Sequence, residues 1–236
     1  MDDVGAGGVI GLELLGVFRI HCDGATVTLP VAAQRVTALV ALSAHGIHRA
    51  GAAETLWPDS ARRRAAANLR SALWHVRRRI GPAVLPAGSA RLRLDPSVRV
   101  DVVELADRVR TRRVRADGAE LPARLARRLL DDWPDAWLAP ERLRWDQVRL
   151  HALEQLAAEQ LAAGRHLAAL EAAMTAVAVE PMRESAHRLV VQVLIDEGNP
   201  ACAVRHYQRF RSLVQRELGV VPSRQMTRLI APLVSG

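Results

Sequence analysis

Residues 60–80, SARRRAAANLRSALWHVRRRI, set the architecture of the N-terminal part of this chain. Aliphatic residues recur in it at the spacing of one helical face, namely Leu69, Leu73, Val76 and Ile80. This spacing predicts one amphipathic helix that buries a single stripe against other elements. Ser60 is predicted to be its N-cap, because a hydroxyl can accept a hydrogen bond from a free N–H group of the first turn.

The opposite face of this helix is polar and basic, with seven arginines and no acid in the stretch. At about 100° per residue, that face and its flank carry candidates for reading DNA bases: Arg64, Asn68, Ser71, His75 and Arg78. Arginine can pair with guanine, and asparagine with adenine, through two hydrogen bonds in the major groove. A solvated basic face is the alternative, and charge alone does not separate the two interpretations.

Other basic residues of the helix and of the segment that follows it are candidates for contacts to phosphate. They are Arg62, Arg63, Arg70, Arg77, Arg79, Arg91 and Arg93. For Arg91 and Arg93 an ordinary exposed strand face is the alternative. Trp74 also falls opposite the apolar stripe; it stacks on a sugar or seals the edge of the core, and we expect the latter.

The segment before the basic helix reads as a small antiparallel sheet followed by two helices. Apolar residues alternate within residues 9–30 around the turn signal Asp23-Gly24. Helical spacing returns at 32–46, where Gly46 is predicted to be the C-cap. A shorter helix is predicted at about 50–57, because Pro58 cannot continue it.

The segment after the basic helix reads as a hairpin. Residues 84–85 and 91–94 are predicted to be its strands, with the Pro-Ala-Gly-Ser tip at 86–89. The order of sheet, three helices and hairpin is that of a winged helix, in which the third helix enters the groove and the hairpin follows the DNA backbone. We therefore predict a winged-helix DNA-binding domain over residues 9–100.

Composition places the basic excess in the same region. The 236 residues carry a net charge of +8, and all 33 basic residues are arginine. Residues 1–100 hold 13 arginines and 7 acids, whereas residues 101–236 hold 20 arginines and 18 acids. A local positive field of this kind favours a polyanionic partner, here double-stranded DNA.

No pattern in the chain indicates catalysis or a bound metal. The two cysteines, Cys22 and Cys202, fit neither a disulfide framework nor a zinc site. His45 and His48 lack a third ligand nearby, and three aspartates, Asp131, Asp132 and Asp135, read as turn and capping residues. Neither G-x-S-x-G nor H-E-x-x-H occurs. We expect a protein that is not an enzyme and binds no cofactor.

The N-terminal sequence MDDVGAGG is unlike the basic start of a signal peptide. No apolar run approaches the length of a membrane span. We therefore expect a cytoplasmic protein.

From residue 101 onward the sequence predicts an all-helical second domain, over residues 101–236. Helices are expected at 101–113, 120–131 and about 141–163, with an elbow at 132–145 that contains three tryptophans. Three tryptophans so close together form either an exposed platform or part of a core, and we expect the core.

A repeat with an offset of 34 residues then relates the segment that begins at Gly164 to the one that begins at Gly198. This is the period of tetratricopeptide repeats, which stack helix pairs. Ala169 and Ala203 lie five residues after the two glycines and are predicted to face a partner helix.

Three stretches resemble the bacterial transcriptional activator domain (BTAD) regulators, which include the SARP antibiotic-pathway activators of actinomycetes. They are WPDSARRRAAANLRSALWHVRRRI at 57–80, LLDDWPDAWLAPERLRWDQVRLHALEQLA at 129–157 and the segment 162–223. The most specific motifs are EP-RE-AH-L at 180–189 and REL-GV-PS at 216–223. The resemblance covers residues 10–232.

The resemblance implies an OmpR-type winged helix joined to a tetratricopeptide-like activator domain. It also implies an activator that binds promoter repeats and contacts RNA polymerase. We further expect a homodimer on DNA. Two features depart from the family pattern: the wing reads Ala90-Arg91 where a Gly-Tyr pair is common, and no GxxxxGK[ST] occurs, so we expect no dependence on ATP. The alternative function is a helical-repeat interaction scaffold with a degenerate winged helix.

Overall fold

The computed structural model describes residues 9–81, 84–85, 90–111 and 120–234. Its contacts divide the chain into two compact units. The first unit comprises residues 1–108 and 128–145, and the second comprises residues 109–127 and 146–236. The proposed boundary between residues 100 and 101 stays a prediction.

Helices and short strands alternate in the N-terminal part of the chain. In order, the elements are β1 (Ile10–Glu13), β2 (Arg19–Cys22), β3 (Ala25–Thr26), α1 (Val31–Leu42), β4 (Ile47–His48), α2 (Arg49–Leu56), α3 (Arg62–Ile80), β5 (Arg91–Leu92) and β6 (Arg99–Val100). The helices that follow are α4 (Asp101–Arg110), α5 (Glu120–Ala126), α6 (Ala139–Ala162), α7 (His166–Val179), α8 (Glu184–Asp196), α9 (Pro200–Leu218) and α10 (Arg224–Val234).

The sheet of the first unit has the order β3-β2-β1-β6. Strands β1, β2 and β3 are antiparallel, and the predicted turn between β2 and β3 is confirmed, since Asp23 and Gly24 have φ values of 52° and 80°. Strand β6 pairs with β1 in the parallel direction. The antiparallel sheet predicted within residues 9–30 is therefore confirmed, and an edge strand from far along the chain adds a parallel pair to it.

The end of α1 and the start of α3 differ from the predicted ones. Helix α1 ends at Leu42 with Ser43 as its C-cap, because the hydroxyl and N–H of Ser43 turn back onto helix carbonyls. Gly46, with φ of 68°, instead directly precedes β4, and a Cβ added to it would lie 2.6 Å from the carbonyl oxygen of Leu92. Helix α3 has Ala61, not Ser60, as its N-cap, because the Ser60 N–H closes the preceding turn onto Trp57 O at 3.1 Å.

The segment predicted to be a hairpin pairs differently. Strand β5 pairs antiparallel with β4, which precedes α2, and not with residues 84–85. Val84 and Leu85 are buried, and Val84 O accepts a hydrogen bond from Asp95 N at 3.1 Å. Residues 84–85 form no strand, and their side chains fill the core. The predicted tip, residues 86–89, lies outside the described residues.

The tryptophan-rich segment belongs to the first unit. Leu129 forms a bridge with Leu15, and Leu130 N donates to Leu14 O at 2.9 Å. This pairing ends α5 at Ala126, five residues earlier than predicted, since the chain extends to reach the sheet. Of the three tryptophans, Trp145 is buried as expected, whereas Trp133 and Trp137 are half-buried.

The aspartates of this segment act at turns. Asp135 stands before a short 3-10 turn at Ala136–Leu138, accepts a hydrogen bond from Trp137 Nε1 at 3.0 Å and pairs with Arg35. Asp131 pairs with Arg128 at 3.3 Å on the surface. Asp135 thus lies at a turn, as predicted, and occupies the N-cap position, but its side chain makes no capping hydrogen bond.

The second unit is helical, and α7, α8, α9 and α10 pack on one another in succession. Gly164 and Gly198, which begin the two repeats, have left-handed φ values of 69° and 79°. Ala169 and Ala203 are both completely buried, as the repeat spacing predicts. Within the described residues, no helix has the length and apolar character needed to cross a membrane.

Candidate DNA-binding interface

Helix α3 is held by its apolar face against α1 and α2. The buried residues of α3 are Ala65, Leu69, Ala72, Leu73 and Val76, which recur every three or four positions. The predicted stripe is thereby confirmed, except that Ile80, at the last turn, is half-buried. Because this stripe fixes the rotation of the helix, it also fixes which side chains face solvent.

The five base-reading candidates lie on the solvent side of α3. Arg64, Ser71 and Arg78 are exposed. Asn68 and His75 are half-buried on the flank of the same face. Ala67, on the same face between Arg64 and Ser71, is also exposed, and its small side chain permits another surface to approach the helix axis.

Trp74 lies in the middle of this face and is 53% exposed. The expectation that it seals the edge of the core was wrong, because the core side of α3 is already filled by Leu73 and Val76. The guanidinium carbon of Arg78 lies 5.1 Å from the centroid of the Trp74 ring, and the ring of His75 meets it edge-on at 4.8 Å. A flat aromatic surface and a cation are therefore presented together.

The phosphate candidates fall into two groups. Arg62, Arg63, Arg70, Arg79 and Arg93 are exposed. Arg62 lies 3.3 Å from Glu54 in a pair whose arginine is 92% exposed, and such pairs are weak. The other four have no acidic partner among the residues that the structure describes.

Arg77 and Arg91 point into their own protein. Arg77 Nε donates to Leu85 O at 3.3 Å, which ties α3 to the segment after it. Arg91 donates from Nη1 to His45 O at 3.0 Å and from Nε to His48 Nε2 at 3.2 Å. These two guanidinium groups hold the base of the unit together and are less available to an outside anion than the exposed five.

The charges at the start of α3 oppose its own dipole. The first turn contains Arg62, Arg63 and Arg64 and no acid, and its N-cap, Ala61, makes no side-chain hydrogen bond. A negative charge near a helix N-terminus stabilises the helix by about 0.3–1 kcal/mol, and a positive charge there destabilises it by a similar amount. This arrangement does not serve the stability of the isolated helix, and it becomes favourable only when an anion lies against that end.

Among the residues that the structure describes, no cluster of three histidine, cysteine or acidic side chains could hold a metal ion. His48 directly precedes α2 and is bonded to Arg91. This agrees with the interpretation of His48 as a helix-end residue.

A winged-helix unit with a basic third helix, followed by stacked helix pairs, is the architecture of a transcription regulator. Residues 103–233, more than half of the chain, match the family model of the bacterial transcriptional activator domain. The chain therefore belongs to that family and is a regulator of transcription.

Two known proteins are similar to this chain. The regulatory protein AfsR of Streptomyces coelicolor is 28% identical over 91% of this chain and 23% of its own length. Mycobacterium tuberculosis EmbR, solved in complex with a low affinity phosphopeptide, has the same fold, with a TM-score of 0.78 at 18% identity, over 97% of this chain and 65% of that chain. This chain thus spans less than two thirds of either protein.

Proposed function

We propose that this protein is a sequence-specific DNA-binding activator of a biosynthetic pathway. It acts in the cytoplasm as a homodimer on promoter repeats, contacts RNA polymerase, and is neither an enzyme nor dependent on a cofactor. The observation that carries this proposal is the exposed face of α3. Arginines crowd that face around an exposed tryptophan, although the charge at the N-terminal end destabilises the helix itself.

Within this proposal the residues take different roles. Arg64, Asn68, Ser71, His75 and Arg78 read base edges in the major groove. The exposed arginines Arg62, Arg63, Arg70, Arg79 and Arg93 contact phosphate. Arg77 and Arg91 support the surface from within, since their guanidinium groups are bonded to backbone carbonyls.

A salt titration separates this function from the alternative of an interaction scaffold with a degenerate winged helix. Sites are first mapped on the genome by protection of promoter DNA, and affinity for one mapped site is then measured from low to high salt. A protein that neutralises several phosphates loses affinity steeply, because it releases condensed counterions. If the protein is an interaction scaffold, its affinity for the mapped duplex should equal its affinity for random DNA, and both affinities should depend only weakly on salt.

Two substitutions test the assignment of roles. Arg78→Ala should cost about 1–3 kcal/mol on the mapped site and relax the preference at one base pair. Arg63→Ala should weaken binding to all duplexes alike and lower the salt slope by about one. Arg19→Ala, an exposed arginine on β2, is the control and should change neither. Identical behaviour of the Arg78 and Arg63 variants on specific and random DNA contradicts the assignment.

Trp74 provides a second test that does not depend on charge. Because its side chain is half in solvent, Trp74→Ala should leave the midpoint of unfolding nearly unchanged while DNA affinity falls. A lower DNA affinity with an unchanged midpoint of unfolding would indicate that the Trp74 ring contacts the DNA. A variant that unfolds at clearly lower urea but binds normally shows that Trp74 has only a packing role.

A further inference from the structure

The turn between α9 and α10 exposes aliphatic side chains at three of four consecutive positions. Leu218, Val220 and Val221 are 57%, 49% and 68% exposed. They form the centre of the motif REL-GV-PS, which no part of DNA recognition explains. Isolated exposed aliphatics are ordinary, but a cluster of this kind marks a surface that another molecule covers.

The turn is held in one conformation at both of its ends. Gly219 adopts the left-handed conformation at φ of 69° and donates its N–H to Gln215 O at 3.1 Å, which closes α9. Ser223 N donates to Glu184 Oε2 at 2.8 Å, and the Ser223 hydroxyl is bonded to the other oxygen of that carboxylate. Such a surface loses little conformational freedom when it binds.

The sequence on both sides of the turn is rich in arginine, and Glu184, the acid that holds Ser223, is itself paired with Arg188. Residues 200–234 contain six arginines and one acid, whereas residues 146–199 contain four arginines and eight acids. That one acid, Glu217, pairs with Arg216 at 2.8 Å. Arg224 and Arg228, in the first turns of α10, are exposed and have no acidic partner in the described part of the chain.

A shallow cleft of about 240 Å³ adjoins the turn. It is lined by Pro222, Arg224, Thr227, Arg228 and Ala231. Aliphatic side chains, a small cleft and an arginine rim together have the composition of a protein interface, in which an apolar centre is surrounded by polar groups.

We propose that this surface, defined by Leu218, Val220, Val221, Arg224 and Arg228, docks an acidic segment of a partner protein that carries leucines at helical spacing. The arginines select carboxylates, and the three aliphatic residues require an apolar counterpart. Duplex DNA offers phosphate anions to the arginines but no apolar counterpart to the aliphatic side chains, so protein is favoured over DNA. The proposal goes beyond the contact with RNA polymerase included in the proposed function, and it does not depend on DNA binding by α3.

Direct binding of a labelled peptide to the full chain tests the proposal. The probe is an 18-residue helical peptide of leucine, alanine and glutamate. Leucines run along one side of its binding face and glutamates along the other side of that face. The same peptide with lysine in place of glutamate is the first control. Duplex DNA affinity and sedimentation are measured on the same preparations, so that a failure of DNA recognition and a failure of this surface are distinguished.

The acidic peptide should bind and the lysine peptide should not. Val220→Asp combined with Val221→Asp, and Arg224→Glu combined with Arg228→Glu, should each raise the Kd about tenfold or more. Val234→Asp, a valine of similar exposure at the other end of α10, and Arg205→Glu, near the start of α9, should leave the Kd unchanged.

Four results would overturn the proposal: no binding, equal binding of both peptides, unchanged binding by the loop variants, or loss of duplex affinity alone in the Arg224 and Arg228 variant. Self-association that Val221→Asp abolishes, without peptide binding, would show that a second copy of this chain covers the surface.

Discussion

Acidification should destabilise the helical unit through a pair of histidines that join α8 and α9. His187 Nδ1 and His206 Nε2 are 2.9 Å apart, and His187 Nε2 lies 2.9 Å from Pro181 O. Since a carbonyl only accepts, His187 Nε2 must donate, and its Nδ1 then accepts from His206. The ring of His187 also stacks on Phe210 at 4.2 Å. Both imidazoles therefore fit the core in their neutral forms.

The lowered pKa values of the two histidines determine how much stability the helical unit loses on acidification. Burial lowers the pKa of His206 to about 4, helped by His187 and by the guanidinium of Arg209. Burial also lowers the pKa of His187. A depressed folded-state pKa means that the stabilisation is present above the unfolded value of about 6.5 and is lost as the pH falls toward 4. From His206 alone, the free energy of unfolding should fall by about 2 kcal/mol between pH 7 and pH 5.

The distribution of aromatic residues allows this to be measured unit by unit. All five tryptophans lie in the first unit, so tryptophan fluorescence reports that unit, whereas circular dichroism reports the helices of both. Urea unfolding at pH 7 and pH 5 is compared for the wild type, His206→Gln and the control His151→Gln. The His206 variant should lose about 2 kcal/mol less than the wild type by circular dichroism. Equal losses in both would refute the role of this pair.

Three further predictions concern packing. Ala169→Leu should lower the free energy of unfolding of the second unit by about 1–3 kcal/mol, because extra methylenes enter a filled contact. Ala168→Leu, at a half-buried position, should lower it less, and both variants should retain DNA affinity. If urea unfolding showed Ala168→Leu to be the more damaging, the register assigned to the repeat would be wrong. Gly46→Ala should destabilise the first unit by at least about 1 kcal/mol, through both its positive φ and the approach of the new Cβ to Leu92 O, and unchanged thermal unfolding would contradict this. A fragment of residues 1–100 should unfold at a lower urea concentration than a fragment of residues 1–145, because it lacks the segment 128–145, which belongs to the first unit. The shorter fragment should still bind the mapped site without activating transcription. Equal stability of the two fragments would show that residues 128–145 do not stabilise the first unit.

The elements that could be predicted from the sequence are those whose signal is local. The rotation of α3 follows from aliphatic residues three or four positions apart, and the buried Ala169 and Ala203 follow from a repeat of 34 residues. The Asp23-Gly24 turn was also predicted, because positive φ values are confined to a few residue types. In each case the residues that interact are neighbours along the chain or copies at a fixed interval.

Trp74 shows where such reasoning fails although the signal was present. Helical geometry alone placed it opposite the apolar stripe, next to Arg78 in space. The expectation that it seals the edge of the core gave too little weight to that position on the helix. The geometry of the helix was the better guide, because a rigid helix has no means of turning one residue of its exposed face into the core.

The remaining features depend on contacts between residues far apart in sequence. Arg91 and His48 are 43 positions apart, yet Arg91, a candidate phosphate ligand, donates to the His48 side chain and to the backbone oxygen of His45. Similarly, Leu15 and Leu129 pair across more than a hundred residues and bring the tryptophan-rich segment into the first unit. Periodicity fixes the face that a helix presents, but the partner of a strand or of a long flexible guanidinium is fixed only when distant segments pack together and compete for the same hydrogen bonds.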